Sequence, residues 1–561
     1  MAGDSRPSHL DSIIGSRLAG MAAWTLAAWT ILTTIAAVYA AHCDLPYADE
    51  WDTWETWLRH GYSLGWFFSE HADHRIVATR LLFAIGNGAF AGRVWFPQAV
   101  SLAVQGWLVF VLWRLAKAGG AGDSEDGRVV GGAIACCLFS GQQLINFTWG
   151  FQVQFFLVYA AGATALAALW RASETEHPAR RRAWKAGCLL AGAVCSYSMA
   201  NGVLIWPMLL LAAVKLRVGR PALGVLGACT VLVFAQYLHG WHTSGLDAPS
   251  PAWRVVLFAL ANAGSPSAPL LVRLGAGTAT IGFIGMAAGA LLMTLVTLQF
   301  FRVWAGGSRY SSARIALAHF TVFVAAASFA IAVGRAHLPL AAAFRARYMT
   351  PAYILWACLL AVAWPSLCRL GARRARWAVV IALLLGVAWQ QLPQIGGARG
   401  YGAELTRASV ALAVGVNDPA ATPILNYTFD YLAPLVEYLR RHRLTVFADE
   451  WTGWTGQSLA ARFRVAPAGA GCTGGIRDAI PVNDPVRPGW RISGWSGGAQ
   501  SIAPNRIVLA GADGRILGVA VEYDGQWTGD ALPGSPTVTA YAVAPDGKSA
   551  CAIGTRSLDP R

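Results

Sequence analysis

Long apolar runs alternate with short polar segments over the first 395 residues. A run of about 20 such residues crosses a hydrocarbon core of about 30 Å as a helix. Read this way, the pattern predicts about eleven spans. They lie near 19–41, 94–114, 129–145, 153–170, 186–200, 202–218, 221–239, 276–301, 315–334, 350–368 and 377–394. The first run is longer than the apolar region of a signal peptide and reads as an uncleaved anchor. Beyond 395 the pattern changes. Segments 403–414 and 430–442 carry helical spacing, and from about 444 short β-type runs are separated by turn signals. Segments 506–510 and 516–520 flank Asp513 and Gly514, and segments 537–543 and 549–553 flank Asp546 and Gly547. Both read as hairpins. The predicted fold class is a membrane all-α bundle of about 11 transmembrane helices with an external helical loop and a C-terminal all-β, sandwich-like domain. The domains run 1–395 (first external loop 42–93), 396–443 as a helical connector and 444–561 as the β domain.

Composition agrees with the spans. Hydrophobic residues make up 55% of the chain, charged residues 13%, and mean hydropathy is +0.45. The net charge of +15 invites a nucleic-acid reading. The basic residues instead cluster in short loops between apolar runs, where topology signals belong, and no basic stripe with interleaved aromatics is present. With the N-terminus inside, every inside loop is basic, for example Arg171, Arg180, Arg181, Arg182 and Lys185. An odd number of spans then places residues 395–561 outside.

Three outside loops break this charge rule. Residues 42–93 hold Arg59, Arg75, Arg80 and Arg93. Residues 240–275 hold Arg254 and Arg273, and residues 335–348 hold Arg335, Arg345 and Arg347. Arginines on the wrong side need another reason to be there, and anion binding is the obvious one. Among the cysteines, Cys136, Cys137, Cys188, Cys195, Cys229 and Cys358 lie in apolar runs and read as small buried hydrophobes. Cys472 and Cys551 bracket the polar C-terminal region, and a disulfide between them follows if that region is outside the cytoplasm.

The first outside loop carries the richest chemistry. Asp44, Asp49, Glu50, Asp52 and Glu55 place five carboxylates within twelve residues, interleaved with Trp51, Trp54 and Trp57. Carboxylates so placed can act as a general base or hold a divalent cation, and tryptophans can stack on sugar rings. A solvated amphipathic helix with an aromatic belt has the same composition. The loop continues with His71, Asp73, His74 and Arg75. Phosphate recognition by His74 and Arg75 suits these residues better than zinc, because no third ligand has the right spacing. A second stretch holds Gln142, Gln143, Asn146, Trp149, Gln152 and Gln154. Its amides can bond sugar hydroxyls or serve as helix-packing glue. The third is the arginine-rich stretch 335–347 with His337 and Tyr348. Arginine forks at this position suit a lipid phosphate. No P-loop, dinucleotide fingerprint or HExxH motif occurs.

In the order and sidedness of these stretches the chain resembles the polytopic glycosyltransferases of the GT-C superfamily, which use polyprenyl-phosphate sugars. The resemblance rests on Tyr47, Asp49, Glu50, Trp51 and Asp52 directly after the first span, on His71, His74 and Arg75, on Asn146, Trp149 and Gln152, and on Arg335, Arg347 and Tyr348. It covers most of residues 20–450 and is nearest to bacterial cell-surface polysaccharide and pilin glycosylating relatives. Many relatives carry paired aspartates where this chain has Asp49 and Glu50. The resemblance implies a bacterial inner-membrane enzyme with a cytoplasmic N-terminus and a periplasmic C-terminal domain. It implies Asp49 as general base, with Glu50 or Asp52 orienting the acceptor or holding Mg2+ or Mn2+ if a metal is used; no other cofactor is expected. Donor phosphate would be held by His74, Arg75, Arg335, Arg347 and Tyr348. Acceptor or sugar would meet Trp51, Trp54, Asn146, Trp149 and Gln152. The partners are then a polyprenyl-phosphate sugar, a glycan, lipid or protein acceptor, and membrane lipids, but no nucleic acid. The competing readings are a lipid-linked glycan flippase, which would line its spans with charge, and an O-antigen-ligase-like transferase. An acyltransferase would need a matching acid beside His239 or His242, and none stands beside them.

Overall fold

The computed structural model of the chain describes residues 9–72, 74–240, 250–306, 309–369, 371–466, 472–497 and 506–558, without the side chains of 9–16. Asp73 and His242 lie outside them. The chain divides into two compact units. One is Met1–Tyr39, Ser63–Leu82 and Pro97–Gly397; the other is Ala40–Tyr62, Phe83–Phe96 and Ala398–Arg561.

The first unit is helical. Nine helices among the described residues are long and apolar enough to cross a membrane, beginning with Arg17–Ala41 and ending with Arg373–Val414. This is the construction of a multi-pass membrane protein. The expected eleven is not matched by helices of that length and composition at two places. The run expected at 186–200 belongs to a helix, Pro178–Ser196, that opens with Arg180, Arg181, Arg182 and Lys185, so its apolar part is too short. The run at 202–218 shortens to Ile205–Lys215, preceded by a 3-10 turn, Ala200–Leu204. A third departure adds a candidate. The stretch 240–275, expected as a loop, contains Ala252–Ala263 and Ser265–Arg273, an apolar pair bent by 46°, which raises the count to ten if it crosses as one.

The bend falls at Gly264, Ser265 and Pro266, where a helix breaks readily, and close packing accommodates it. Gly264 sits at the break, where a Cβ would stand 1.8 Å from the carbonyl oxygen of Gly285, while a Cβ on Gly289 would stand 1.9 Å from that of Leu260. Gly285 and Gly289 are one helical turn apart on Thr278–Gly306. This small-xxx-small face lets two backbones touch, as membrane helices often do. Elsewhere the unit is filled by large side chains, including Phe147, Phe156, Tyr159, Phe323 and Trp364.

The second unit ends in strands β1 (Arg464–Val465), β2 (Gly474–Val482), β3 (Gly489–Ser496), β4 (Arg506–Gly511), β5 (Ile516–Tyr523), β6 (Gln526–Ala531), β7 (Thr537–Val543) and β8 (Ser549–Ser557). The expected sandwich of two sheets is instead one continuous curled sheet, in the order β1-β8-β7-β4-β5-β6-β3-β2. The hairpins β4–β5 and β7–β8 pair antiparallel. Both faces of the central strands are buried. Val508, Ala510, Val519 and Val521 join a cluster with Trp51, Leu412, Leu432 and Phe447, while Ile507, Leu509, Ala520 and Trp527 fill the concave side. No ladder joins β2 to β8 among the described residues. A disulfide between Cys472, just before β2, and Cys551 on β8 spans that seam with Cα atoms 6.3 Å apart, and Arg556 donates to the carbonyl of Arg477 beside it.

A buried charge cluster fixes β3 and β6 against the segment 407–420. The Asp418 carboxylate is fully buried and accepts from Arg491, from Arg407 at 3.2 Å and from the backbone N–H of Ala420 at 2.9 Å. Burial alone would raise its pKa, but these donors outweigh it and hold it low. Asp530 lies directly across from Arg491. Burial first, and then the neighbouring Asp418 carboxylate, push Asp530 from its ordinary 3.8 up to about 8. Folded Asp530 therefore keeps a proton that the unfolded chain gives up between pH about 4 and about 8, so stability from this group falls as pH rises through that window. Asp530→Asn should flatten the fall. Thermal midpoints of the full chain at pH 5.5 and 8 should converge in the variant, by a difference on the order of 1 kcal/mol or more, since one unit of displacement is worth about 1.4 kcal/mol.

Candidate functional site

The acidic stretch belongs to the second unit and forms a helix, Asp49–His60. The chain turns into it through Ala48 at φ 45°. Glu50 is buried, and its carboxylate accepts the backbone N–H of Tyr47 at 2.9 Å, so this carboxylate is spent on capping the turn. Trp51 and Trp54 are 0% and 5% exposed and sit in the core, not on a face where a sugar could stack. Asp52 accepts the Tyr431 hydroxyl at 2.9 Å. Tyr427 stacks on Tyr431 with ring centroids 4.8 Å apart. Burial first, then the Asp52 carboxylate, raises both tyrosine pKa values and holds them as donors. Asp49 opens the helix, at its positive end and one turn ahead of Asp52 and Thr53. Asp44 is held elsewhere, accepting Arg93 at 2.8 Å and the Val94 N–H at 2.9 Å, while Arg93 also reaches Asp449 at 2.7 Å. Burial would raise the Asp44 pKa, but His42 and Arg93 lower it.

The expected phosphate ligands belong to the first unit. His71 and His74 exchange backbone hydrogen bonds of 2.8 and 3.0 Å and so close a tight turn. The Arg75 guanidinium is occupied. It donates to the carbonyls of Phe68 at 2.7 Å and His239 at 2.8 Å, and pairs with Glu70 at 3.3 Å. Arg80 is likewise spent on the carbonyls of Trp66 and Ser69. Of the arginines in the loops expected outside, Arg59, Arg75 and Arg93 have carboxylate partners, and Arg254 donates to the Leu338 carbonyl.

The turn between Ser312–Arg335 and Met349–Cys368 differs. Arg335, Arg345 and Arg347 form no ion pair among the described residues. The Arg347 guanidinium lies 4.7 Å over the Tyr348 ring. Its Nε and the Tyr348 hydroxyl are buried without hydrogen-bond partners among the described residues. Side-chain amides hold this turn in place. Asn146 donates to the Arg347 carbonyl at 3.1 Å and to the Thr350 hydroxyl at 2.8 Å, and Thr350 donates to Gln143 at 2.7 Å. Asn262 donates to the carbonyls of Ala343 and Tyr348, both at 3.1 Å. Asn146 thus positions the arginine turn, and its amide nitrogen is already committed. Trp149 and Gln152 are buried in the neighbouring turn, with Trp149 stacked against Phe151.

The structure therefore brings Asn146 together with Arg347 and Tyr348, and commits Arg75 to its own unit's carbonyls. Tyr427, Tyr431, Asn262 and Thr350 are participants that sequence reasoning missed. An asparagine within the apolar run 255–263 is the signal by which Asn262 could have been found. No protein-family model matches the chain, and no curated protein matches it significantly. Asn262→Leu strands two carbonyls and should lower the unfolding free energy by about 1–3 kcal/mol, read as a drop in thermal midpoint in detergent.

Proposed function

We propose that the chain is an inner-membrane glycosyltransferase that moves a sugar from a polyprenyl phosphate to a hydroxyl group of an external glycan, lipid or protein. The observation that carries the reading is the turn 335–348. Three arginines without acidic partners, with the orphaned Nε of Arg347 and hydroxyl of Tyr348, stand between two helices able to span a membrane. That is the depth at which a lipid phosphate lies, and arginine forks bind such an anion through paired N–H groups.

In this reading Asp49 takes the proton of the acceptor hydroxyl as general base. The acceptor oxygen forms a bond to the anomeric carbon, and the bond from that carbon to the phosphate oxygen breaks. Arg335 and Arg347 stabilise the charge that gathers on the departing lipid phosphate. Asp52 is the orienting carboxylate, fixed by Tyr431. Arg75 drops out of the phosphate-binding set because its guanidinium is already occupied. In this reading the N-terminus is cytoplasmic, the bent pair is re-entrant, and the β domain is periplasmic. The Cys472–Cys551 disulfide fits that oxidising compartment.

The test is sugar transfer by purified protein from a panel of synthetic polyprenyl-phosphate sugars. Asp49→Asn should lower transfer by about 10²–10⁴-fold while donor binding survives, and Arg347→Ala should weaken donor binding. Donor binding without transfer by the wild type across a broad acceptor panel would sink the enzyme reading in favour of lipid-linked transport.

A further inference from the structure

Away from this turn, the helices Arg17–Ala41 and Arg373–Trp389 leave an open groove of about 520 Å³ between their N-terminal ends. Leu18, Ala19 and Ala22 form one wall, and Trp377, Ala378 and Ile381 the other. The spacing within each wall is that of a single helix face. The gap exists because alanines stand where larger side chains would fill it. Trp377 is pinned, donating to Asp126 at 2.8 Å, and Arg373 lies 4.5 Å over its ring.

Arg374 lines the same groove. Its neighbours are committed: Arg373 lies 3.9 Å from Asp126, and Arg376 donates to the carbonyls of Leu367 and Gly371. Arg374 is exposed and forms no ion pair among the described residues, and Arg369 close by is exposed as well. The outward sides of the two helices continue the apolar surface, with Met21 63% and Leu383 65% exposed.

We infer that this groove binds one anionic phospholipid, with an acyl chain along the alanine walls and the headgroup phosphate on Arg374. A basic pocket between membrane helices is a recurring headgroup site. The groove is far too small for a stable protein contact. A zwitterionic lipid would bring a second cation to a rim that already holds several. The inference is independent of the glycosyltransferase reading.

Native mass spectrometry of the full chain in detergent, titrated with phosphatidylglycerol or phosphatidylcholine of matched acyl chains, tests it. Phosphatidylglycerol adducts should form at about tenfold lower concentration than phosphatidylcholine adducts. Arg374→Glu, an exposed change, should remove that preference, an effect of about tenfold. Ala22→Leu, which fills the groove, should lower retention of both lipids; Ala378→Leu fills it from the other wall if the first variant does not fold. Equal retention of the two lipids by the wild type would overturn the inference, as would undiminished phosphatidylglycerol preference in Arg374→Glu.

Discussion

A backbone amide or carbonyl inside a hydrocarbon layer has no water to bond, so wherever a helix breaks there the protein must supply the partner itself. The first unit meets this constraint with side-chain amides. Gln105 donates to the Leu138 carbonyl at the end of one helix, and Gln143 donates to the same oxygen. Gln98 donates to the Thr148 carbonyl, Asn146 to that of Arg347, and Asn262 to those of Ala343 and Tyr348. Gln391 accepts the N–H of Gly141. These residues are buried, so each contact is worth more than its counterpart at a wet surface. The broken helices and short 3-10 turns are therefore as fixed as the spans. The arginine turn inherits this rigidity, since three of its carbonyls are among those held.

The arginines show how a shared sequence signal can have separate causes. All of those in the loops expected outside look alike by charge and position. Arg80 closes the carbonyls around Trp66 and Ser69, and Arg93 links Asp44 to Asp449. The group near Tyr348 forms no ion pair among the described residues, and Arg273 lies over the Trp389 ring, 4.9 Å from its centre. A guanidinium has five donors, and in a compact loop the nearest carbonyl oxygens compete for them with any ligand.

Much of the fold was legible because its signals are local. Apolar runs of span length and Asp-Gly turns between β-type segments depend on neighbours in sequence. What was not legible depends on distant partners. The helix pair around Gly264 is short and interrupted, and its close contact with Gly285 and Gly289 depends on residues distant in sequence. The single curled sheet was hidden because alternation within β4 and β5 is masked when both faces are buried. In the site, residue types were readable but roles were not. Glu50 reads as a catalytic carboxylate and caps a turn; Trp51 reads as a sugar platform and fills a core.

The second unit is assembled from three separate pieces of chain, 40–62, 83–96 and 398–561. Trp51 and Trp54 share their core with Leu412, Leu432 and Phe447. A ribosome working at about 5–20 residues per second delivers those partners roughly 20–75 s after the tryptophans emerge. For that interval two large indole rings have no place to go. The nascent protein must keep them shielded, in the lipid interface or on a chaperone, until the last third of the polypeptide arrives. The order of biosynthesis, not the final packing, is then the hardest demand this architecture makes on the cell.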